Sequence, residues 1–580
     1  MISGLRCQNY RSLEDIEVPL ASLTALVGPN GAGKTALLQA IDVVLGAAWP
    51  SLRSLRIPQD FTGFDATRSL VVKIAFDPPL QSQDARGQQV QVPSLMVTCQ
   101  PYKRTTKWGA TGDLHLDFIP VNQRDEKIMV MTSPPRRGQP PTFQPLSVSS
   151  GLRDQGRVLF INHRRAVVQH LPSARGSILG RLFEPARREF EQQAEAEQPG
   201  RPAFAQHYQE AMAALRTPRL QTVEETVAQT TKRMLGFISS RLARSVDVEF
   251  GFADVANPFG SLRLVYREDG LTTPAEELGL GVQSAIVVGI FEAWRQLGDP
   301  VGTVVIEEPE MYLHPQAQRY FYRILSELAD TGACQIIYST HSPIFANATR
   351  FEAVRLVRRP PGSMSTVSWI KAPEDHSFLV EQRNAQKLAA HFDPGRSELL
   401  FASRVLLVEG PGDRFAVRAV ADKLGFDLDG EGISVVDCGS KSAIPFFARI
   451  CRALEIPLRV LCDEDQWPPP VDGDPEKLTK HQTESRRAAE LHEKVVAAVN
   501  DPTRLFVMKP SLEGELGIGR NASDKPARVV AAIDSQQLTG LPKPLLNAVK
   551  ALMPEEERQE SSVEIAEITG AASDGSSPTD

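Results

Sequence analysis

The rhythm of apolar and polar positions changes several times along the chain. Leu23 to Val27 is a short apolar run; it meets a glycine-rich turn at 28–33, and a stretch of helical period follows from Thr35 to Leu45. From about 68 to 165 the pattern is strand-like and turn-rich (VVKIAF, LHLDFIP, KIMVM, RVLFI), interrupted by a Pro/Arg loop at 133–141. Between about 180 and 237 it becomes helical, in REFEQQAEAEQ, QHYQEAMAALR and VEETVAQTTKRML, broken by PGRP and TPRL. Strands and helices then alternate to about 370. A second alternation starts at Ser403 with RVLLVEG and runs through RFAVRAVADKL and ISVVDCG to LRVLCDED. Strands alternating with helices at this spacing predict an α/β chain with parallel sheets and crossover connections. The segment 554–580 is rich in Glu, Ser, Gly and Asp and reads as an acidic disordered tail.

Composition narrows the picture. At 580 residues the chain has room for about three to five folding units. Hydrophobic residues at 42% and charged residues at 23% are ordinary globular usage, which excludes wholesale disorder and fibrous folds. Basic residues number 64 against 71 acidic, for a net charge of −7, so bulk charge does not coat nucleic acid, although local basic patches remain open. The apolar runs are strand-length, well short of the ~20 residues of a bilayer span, and the N-terminus lacks a signal-peptide core. Cysteines at 7, 99, 334, 438, 451 and 462 show no C-x-x-C spacing, which argues against a disulfide framework and a zinc knuckle. These features predict a soluble, multidomain, cytoplasmic protein with no membrane partner.

The first chemistry lies at GPNGAGKT, residues 28–35, which matches G-x-x-x-x-G-K-[ST] between a strand and a helix. Gly28, Asn30, Gly31 and Gly33 let backbone N–H groups wrap phosphates. Lys34 would neutralise the β/γ oxygens of ATP, and the Thr35 hydroxyl would ligate its Mg²⁺. In TVVIEEPEMYLHPQAQ, residues 303–318, an apolar strand ends in Glu307, placed to support the metal, and Glu308, placed to polarise water. A further strand, QIIYSTHSP, delivers His341 toward a γ-phosphate. Together these motifs resemble the ABC-type, RecF/SMC-like ATPases of recombination and chromosome maintenance, with a D-loop around 313–315. ELGLGVQSA, residues 277–285, stands where that family has its signature loop, with Gly281 and Gln283 at matching positions. Gly279 replaces the usual serine, and Glu307 the usual aspartate. The resemblance implies ATP sandwiched head-to-tail between two protomers; the two departures point to slow turnover. Gln59 is a weak Q-loop candidate and reads more readily as a surface residue.

The second chemistry lies in the C-terminal alternation. Glu409 ends one strand, Asp413 opens the following helix, and Asp463 and Asp465 close the third strand with period-two spacing, which predicts that both face one side. Parallel strands releasing carboxylates at one edge form a hard, oxygen-rich site suited to Mg²⁺ or Mn²⁺ rather than zinc. The order resembles the Toprim fold of topoisomerases, primases and certain nucleases. Downstream, Glu513 could complete a two-metal clamp with ions ~3.5–4 Å apart, and Lys525 could stabilise charge on the phosphate.

An ABC-type ATPase followed by Toprim resembles the OLD (overcoming lysogenization defect) nucleases, which include the nuclease subunit of the Gabija antiphage system. The resemblance implies an N-terminal ATPase part at 1–179, a helical dimerisation insertion at 180–237, a second ATPase part at 238–390 and a Toprim nuclease domain at 400–545. It implies Glu409, Asp413, Asp463, Asp465 and Glu513 as ligands of two divalent metals, with Glu409, Asp463 and Lys525 catalytic for DNA cleavage and Glu308 for ATP hydrolysis. It also implies homodimers or larger homo-oligomers, and leaves room for a helicase-like or other defence-system subunit. In Gabija-type members nucleotide binding restrains the nuclease, whereas other members hydrolyse ATP actively. Arg136, Arg137, Arg164, Arg165, Arg486 and Arg487 are candidates for tracking the DNA backbone. The competing reading is a DNA-repair clamp ATPase whose Toprim-like domain only recruits partners. A topoisomerase is disfavoured because no tyrosine follows Tyr338.

Overall fold

The computed structural model describes residues 1–106, 109–133, 142–162, 217–237, 246–252, 262–268, 271–297, 302–360, 362–385, 393–469, 475–519 and 524–554. They fall into two compact units, the first formed mainly by residues 1–345 and the second mainly by residues from 368 on. Residues 368–385, assigned from the sequence to the ATPase part, thus group with the second unit. The helical stretch 180–216, the loop containing Arg136 and Arg137, the pair Arg164 and Arg165, and nearly all of the acidic tail lie outside the described residues.

The first unit is built on β1 (Leu23–Val27), α1 (Lys34–Leu45), β2 (Val158–Ile161), α2 (Pro218–Gly236), α3 (Leu280–Leu297), β3 (Gly302–Glu307), α4 (Pro315–Asp330) and β4 (Cys334–Thr340). The strands lie parallel in the order β1-β4-β3-β2, with Val354–Arg358 and Thr366–Ser368 completing the sheet beyond β1. Every residue of β1 and β4 is buried, as a strand covered on both faces requires. A five-stranded antiparallel sheet packs beside it, formed by Ile2–Tyr10, Leu13–Pro19, Leu70–Gln83, Gln89–Thr106 and Gly109–Val121. The alternation predicted up to 370 does not hold throughout, because Val246–Phe252, Leu262–Glu268 and Leu271–Pro274 form a separate antiparallel sheet.

The helix α2 is the described end of the predicted insertion. Thr217 caps it by accepting the Leu220 N–H, and Pro218 starts it, so TPRL initiates this helix rather than merely breaking one. Val223, Val227, Met234 and Leu235 are fully buried, each stabilising by about 1.5–3 kcal/mol relative to exposure. The closeness to α3 depends on Gly289: a Cβ there would lie 2.9 Å from the Val227 carbonyl oxygen. The apolar face of α2 is therefore covered within its own unit.

The second unit carries β5 (Arg404–Val408), α5 (Pro411–Lys423), β6 (Ile433–Asp437), α6 (Ile444–Ala453), β7 (Leu458–Asp463), α7 (Pro475–Val499), β8 (Leu505–Met508), α8 (Leu512–Glu515), α9 (Lys525–Ser535) and α10 (Lys543–Lys550). Its sheet is parallel, in the order β6-β5-β7-β8. The chain leaves β5 to one side for β6 and returns on the other side for β7. That reversal opens a crevice at the C-terminal ends of β5 and β7, where ligands of open α/β sheets bind. Leu545, Ala548, Val549, Leu552 and Met553 belong to this core, so its packing runs past residue 545. All six cysteines are buried, and none forms a disulfide.

Candidate active sites for nucleotide and phosphodiester

The nucleotide loop is shaped by close approach. Gly28 has φ +153°, and a Cβ there would sit 2.0 Å from the Val357 carbonyl oxygen; at Gly33 (φ +111°) it would press on Ser365 and Ser12. Gly31 is also left-handed, at φ +75°. Asn30, Gly31 and Thr35 are exposed at the mouth of the loop. The Lys34 ammonium is buried and donates to the carbonyls of Gly28 (2.8 Å) and Pro29 (2.9 Å). Burial pushes Lys34 down to about 8, against the opposing pull of Glu308 and Glu310. A phosphate would supply the anion that favours the charged form.

Parallel pairing of β3 with β4 sets the acids. Glu307 is buried opposite Ser339, and the next N–H, of Glu308, donates to the Ser339 carbonyl (3.0 Å). Glu308 is left-handed at φ +46°. His341 Nε2 stands 3.5 Å from Glu308 Oε1, and burial followed by the Lys34 charge holds the imidazole below its ordinary value. The sequence-predicted Lys34, Glu308 and His341 therefore come together at one sheet edge.

The candidate signature loop sits at the start of α3. Gly279 is exposed with open space around a Cβ, so the serine it replaces would fit. A Cβ at Gly281 would lie 3.7 Å from the Tyr312 carbonyl oxygen, which puts this glycine against the turn 310–313. Gln283 is buried and donates to the carbonyls of Glu276 (3.2 Å) and Leu278 (2.7 Å). Its amide shapes the loop from within. Gln59 is exposed, as a surface residue should be.

At the second edge, Glu409 follows β5 and Asp463 ends β7, on either side of the crevice. The Asp463 N–H donates to Glu409 Oε1 (2.8 Å), the Leu512 N–H to Asp463 Oδ1 (2.9 Å), and the Gly410 N–H to Asp413 Oδ2 (3.0 Å). These bonds favour the charged forms, but burial outweighs them. Glu409 is pushed up to about 7, Asp413 to about 6 and Asp463 to about 9, with mutual repulsion among the acids adding to burial. Glu513 raises Asp413 and lies 3.4 Å from the Lys525 ammonium, which begins α9. A lysine at a helix N-terminus opposes the helix dipole, a cost of a few tenths to about 1 kcal/mol that the Glu513 pair offsets.

Asp465 departs from the period-two expectation. The strand ends at Asp463, and Asp465 adopts φ +62°, donating its N–H to the Pro510 carbonyl (2.8 Å). Its carboxylate turns to Lys441 (3.1 Å) yet remains close enough to raise Glu409 and Asp463. Lys441 was not singled out by sequence reasoning. Buried in the GSKS turn after β6, it also donates to the carbonyls of Asp463 and Glu464, holding the acidic loop from beneath. The available signal was a lone lysine among small residues at a strand end. Among the described residues, no three His, Cys, Asp or Glu side chains stand in ligand geometry around one point. Arg486 and Arg487 are exposed on α7, and Arg486 pairs with Glu490 (3.1 Å).

Comparison with known proteins follows the same division. The family model described as AAA ATPase domain matches residues 1–75 and 157–346, leaving out most of the antiparallel sheet. The model described as overcoming lysogenization defect protein-like, TOPRIM domain matches residues 400–465, from β5 to the acidic loop. The OLD nuclease of Thermus scotoductus is 49% identical over 553 residues, covering 95% of this chain and 98% of that protein. The Old nuclease of Escherichia phage P2 is 31% identical over 163 residues, 28% of this chain and 27% of that one. An uncharacterized protein of Escherichia coli, YbjD, is 29% identical over 164 residues, 28% of each chain.

Proposed function

The chain belongs to the OLD nuclease family, and from that premise we propose that it hydrolyses DNA phosphodiesters at the carboxylate edge of β5 and β7, under control of ATP bound at the loop 28–35. The observation that carries this reading is the gathering of Glu409, Asp413 and Asp463 at the crevice, where burial and repulsion hold their pKa values between about 6 and 9. The donor set fits a hard divalent cation, Mg²⁺ or Mn²⁺, because all its ligands are oxygens and their crowded charge needs a cation.

Glu409, Asp413, Asp463 and Glu513 would hold two such ions, with Asp465 reaching them on release from Lys441. When bound, divalent ions supply Lewis acidity and lower the pKa of water. The chain's own contribution is positional: the Asp463 and Leu512 N–H groups orient two carboxylates, Lys441 fixes the loop between them, and Lys525 presents a cation to charge developing on phosphate oxygen. In the other unit, Lys34 and Thr35 would bind ATP and its Mg²⁺, Glu307 would support that metal, Glu308 would polarise water and His341 would contact the γ-phosphate. Gly281 and the loop shaped by Gln283 would close over ATP held by a second protomer, making a homodimer or larger assembly the working form. Antiphage defence or DNA repair is the process such an enzyme would serve.

The second reading, a clamp ATPase whose second unit only recruits partners, has one observation in its favour: no three groups stand in ligand geometry among the described residues. Incubation of supercoiled plasmid with Mg²⁺ or Mn²⁺, with and without ATP, separates the two. The nuclease reading requires cleavage that Glu409→Ala and Asp463→Ala abolish. Cleavage undiminished in both variants would remove the active site from this edge.

A further inference from the structure

Between the water-polarising Glu308 and the D-loop stands Glu310, a residue to which neither the motif nor its spacing gives a role. Its Oε1 accepts three bonds from three consecutive residues at the end of β4: the Thr340 hydroxyl (2.8 Å), the His341 N–H (2.6 Å) and the Ser342 N–H (3.1 Å). Bonds to a carboxylate are roughly twice as strong as neutral ones, so the backbone on both sides of the His341 Cα is held by one oxygen. Gln318 of α4 makes a second tie. Its amide donates to the carbonyls of Glu310 (3.4 Å) and Leu313 (3.0 Å), and its Oε1 accepts the Ser342 hydroxyl (2.9 Å). The turn 310–313 and the segment 340–342 are thereby joined into one body.

The backbone around Glu310 adds an independent observation. Glu308 at φ +46° and Tyr312 at φ +61° are both non-glycine residues in the left-handed region. Each such residue costs on the order of 1–3 kcal/mol and persists where surrounding contacts over-determine it, typically at functional sites. The bonds of Glu310 and Gln318 fall between and beside these two residues, at Glu310 and Leu313, and on the segment 340–342.

We propose that Glu310 is a positioning residue of the ATPase: it holds His341 in the orientation from which the imidazole reaches the γ-phosphate, and ties that orientation to the turn 310–313. The inference rests on the reading of His341 as the γ-phosphate contact. Gln318 serves the same end from the opposite side of the turn.

The test is a double-mutant cycle on the full chain, read as steady-state hydrolysis of ATP·Mg²⁺ with nucleotide affinity measured separately. Glu310→Ala is expected to lower kcat on the order of 10²-fold, the cost of a displacement of about 1 Å at a reacting centre, with KM and ATP affinity little changed. His341→Ala is expected to lower kcat as much, and the double variant to be no slower than the slower single one, because both remove a single function. Glu310→Gln keeps an acceptor oxygen at the same reach and is expected to recover most of the loss. Should Glu310→Ala fail to fold, Gln318→Ala takes its place in the cycle. Losses that multiply in the double variant, or unchanged kcat in Glu310→Ala when His341→Ala is slow, would overturn the proposal. Unchanged turnover in His341→Ala would remove its premise while leaving plasmid cleavage, and so the nuclease reading, untouched.

Discussion

The two sheet edges solve opposite electrostatic problems with the same architecture. At the end of β1, burial pushes the Lys34 ammonium down to about 8; at the ends of β5 and β7, burial pushes three carboxylates up to between about 6 and 9. Both edges disfavour the charge they carry, one in a manner that a polyanion corrects and the other in a manner that divalent cations correct. The supports differ accordingly. The nucleotide edge is built from glycines whose missing Cβ atoms let backbone come close, whereas the carboxylate edge is built from N–H groups and the buried Lys441, which hold acids that would otherwise repel. Perturbed groups gather at functional sites because function uses the charge that the fold disfavours.

The largest effects are expected at Glu513 and Lys525. Lys525→Ala is expected to lower plasmid cleavage on the order of 10²- to 10³-fold while metal binding persists, the scale of losing one group that stabilises charge in the transition state. Glu513→Ala should lower both cleavage and metal binding. Neither should alter ATP turnover, and a parallel ATPase assay checks that separation. At the other edge, Gly28→Ala drives a Cβ toward the Val357 carbonyl oxygen. Losing one loop N–H bond to a charged phosphate, worth about 1.5–3 kcal/mol, should weaken ATP binding roughly 10- to 10²-fold, measurable by fluorescence titration, with Mn²⁺ binding at the carboxylates retained.

A smaller effect should appear in pH dependence. Ligand carboxylates must lose their protons to bind metal, so Mn²⁺ affinity measured by calorimetry should rise by about tenfold or more between pH 6 and 8.5, with proton release. The metal-free protein should show the converse. Raised folded-state values mean that the stability these acids contribute is fully present below their unfolded values near 4 and is lost as pH rises through about 6 to 9. Melting of the metal-free chain should therefore fall across that window, and Asp463→Asn should flatten the fall. The smallest effect belongs to Gly289→Ala, at the crossing of α2 and α3. Pressing α2 from α3 should cost about 1–3 kcal/mol of stability in the ATPase unit, seen in thermal melting, with both activities intact at low temperature.

Much of both sites is legible in the sequence because each motif encodes a local geometry. GPNGAGKT needs only a strand before it and a helix after it, and β1 and α1 supply both. Glu409, Asp413 and Asp463 are legible because parallel strands release their ends at one edge whatever the connecting lengths. What escapes is the support. Lys441 and Glu310 act through partners 22 to 32 residues away, and nothing in their local spacing announces those partners. Period-two spacing brings Asp465 to the side of Asp463 only where the strand continues, and the strand ends at Asp463, with Asp465 in a left-handed turn at φ +62°. Gln283 reads as a residue facing nucleotide, and the two carbonyls of its own loop to which its amide donates are not announced by the motif. Antiparallel pairing of 246–274 is likewise set by tertiary contact rather than by local rhythm.

On the proposed function, the two edges bind opposite charges independently, metal at one and nucleotide at the other. Crossed calorimetric titrations test it most directly: Mn²⁺ without nucleotide, and ATP, each into the parent chain, Asp463→Ala and Lys34→Ala. Asp463→Ala is expected to lose Mn²⁺ binding and keep ATP, and Lys34→Ala to do the reverse. Mn²⁺ binding unchanged in Asp463→Ala, or abolished in Lys34→Ala, would contradict it.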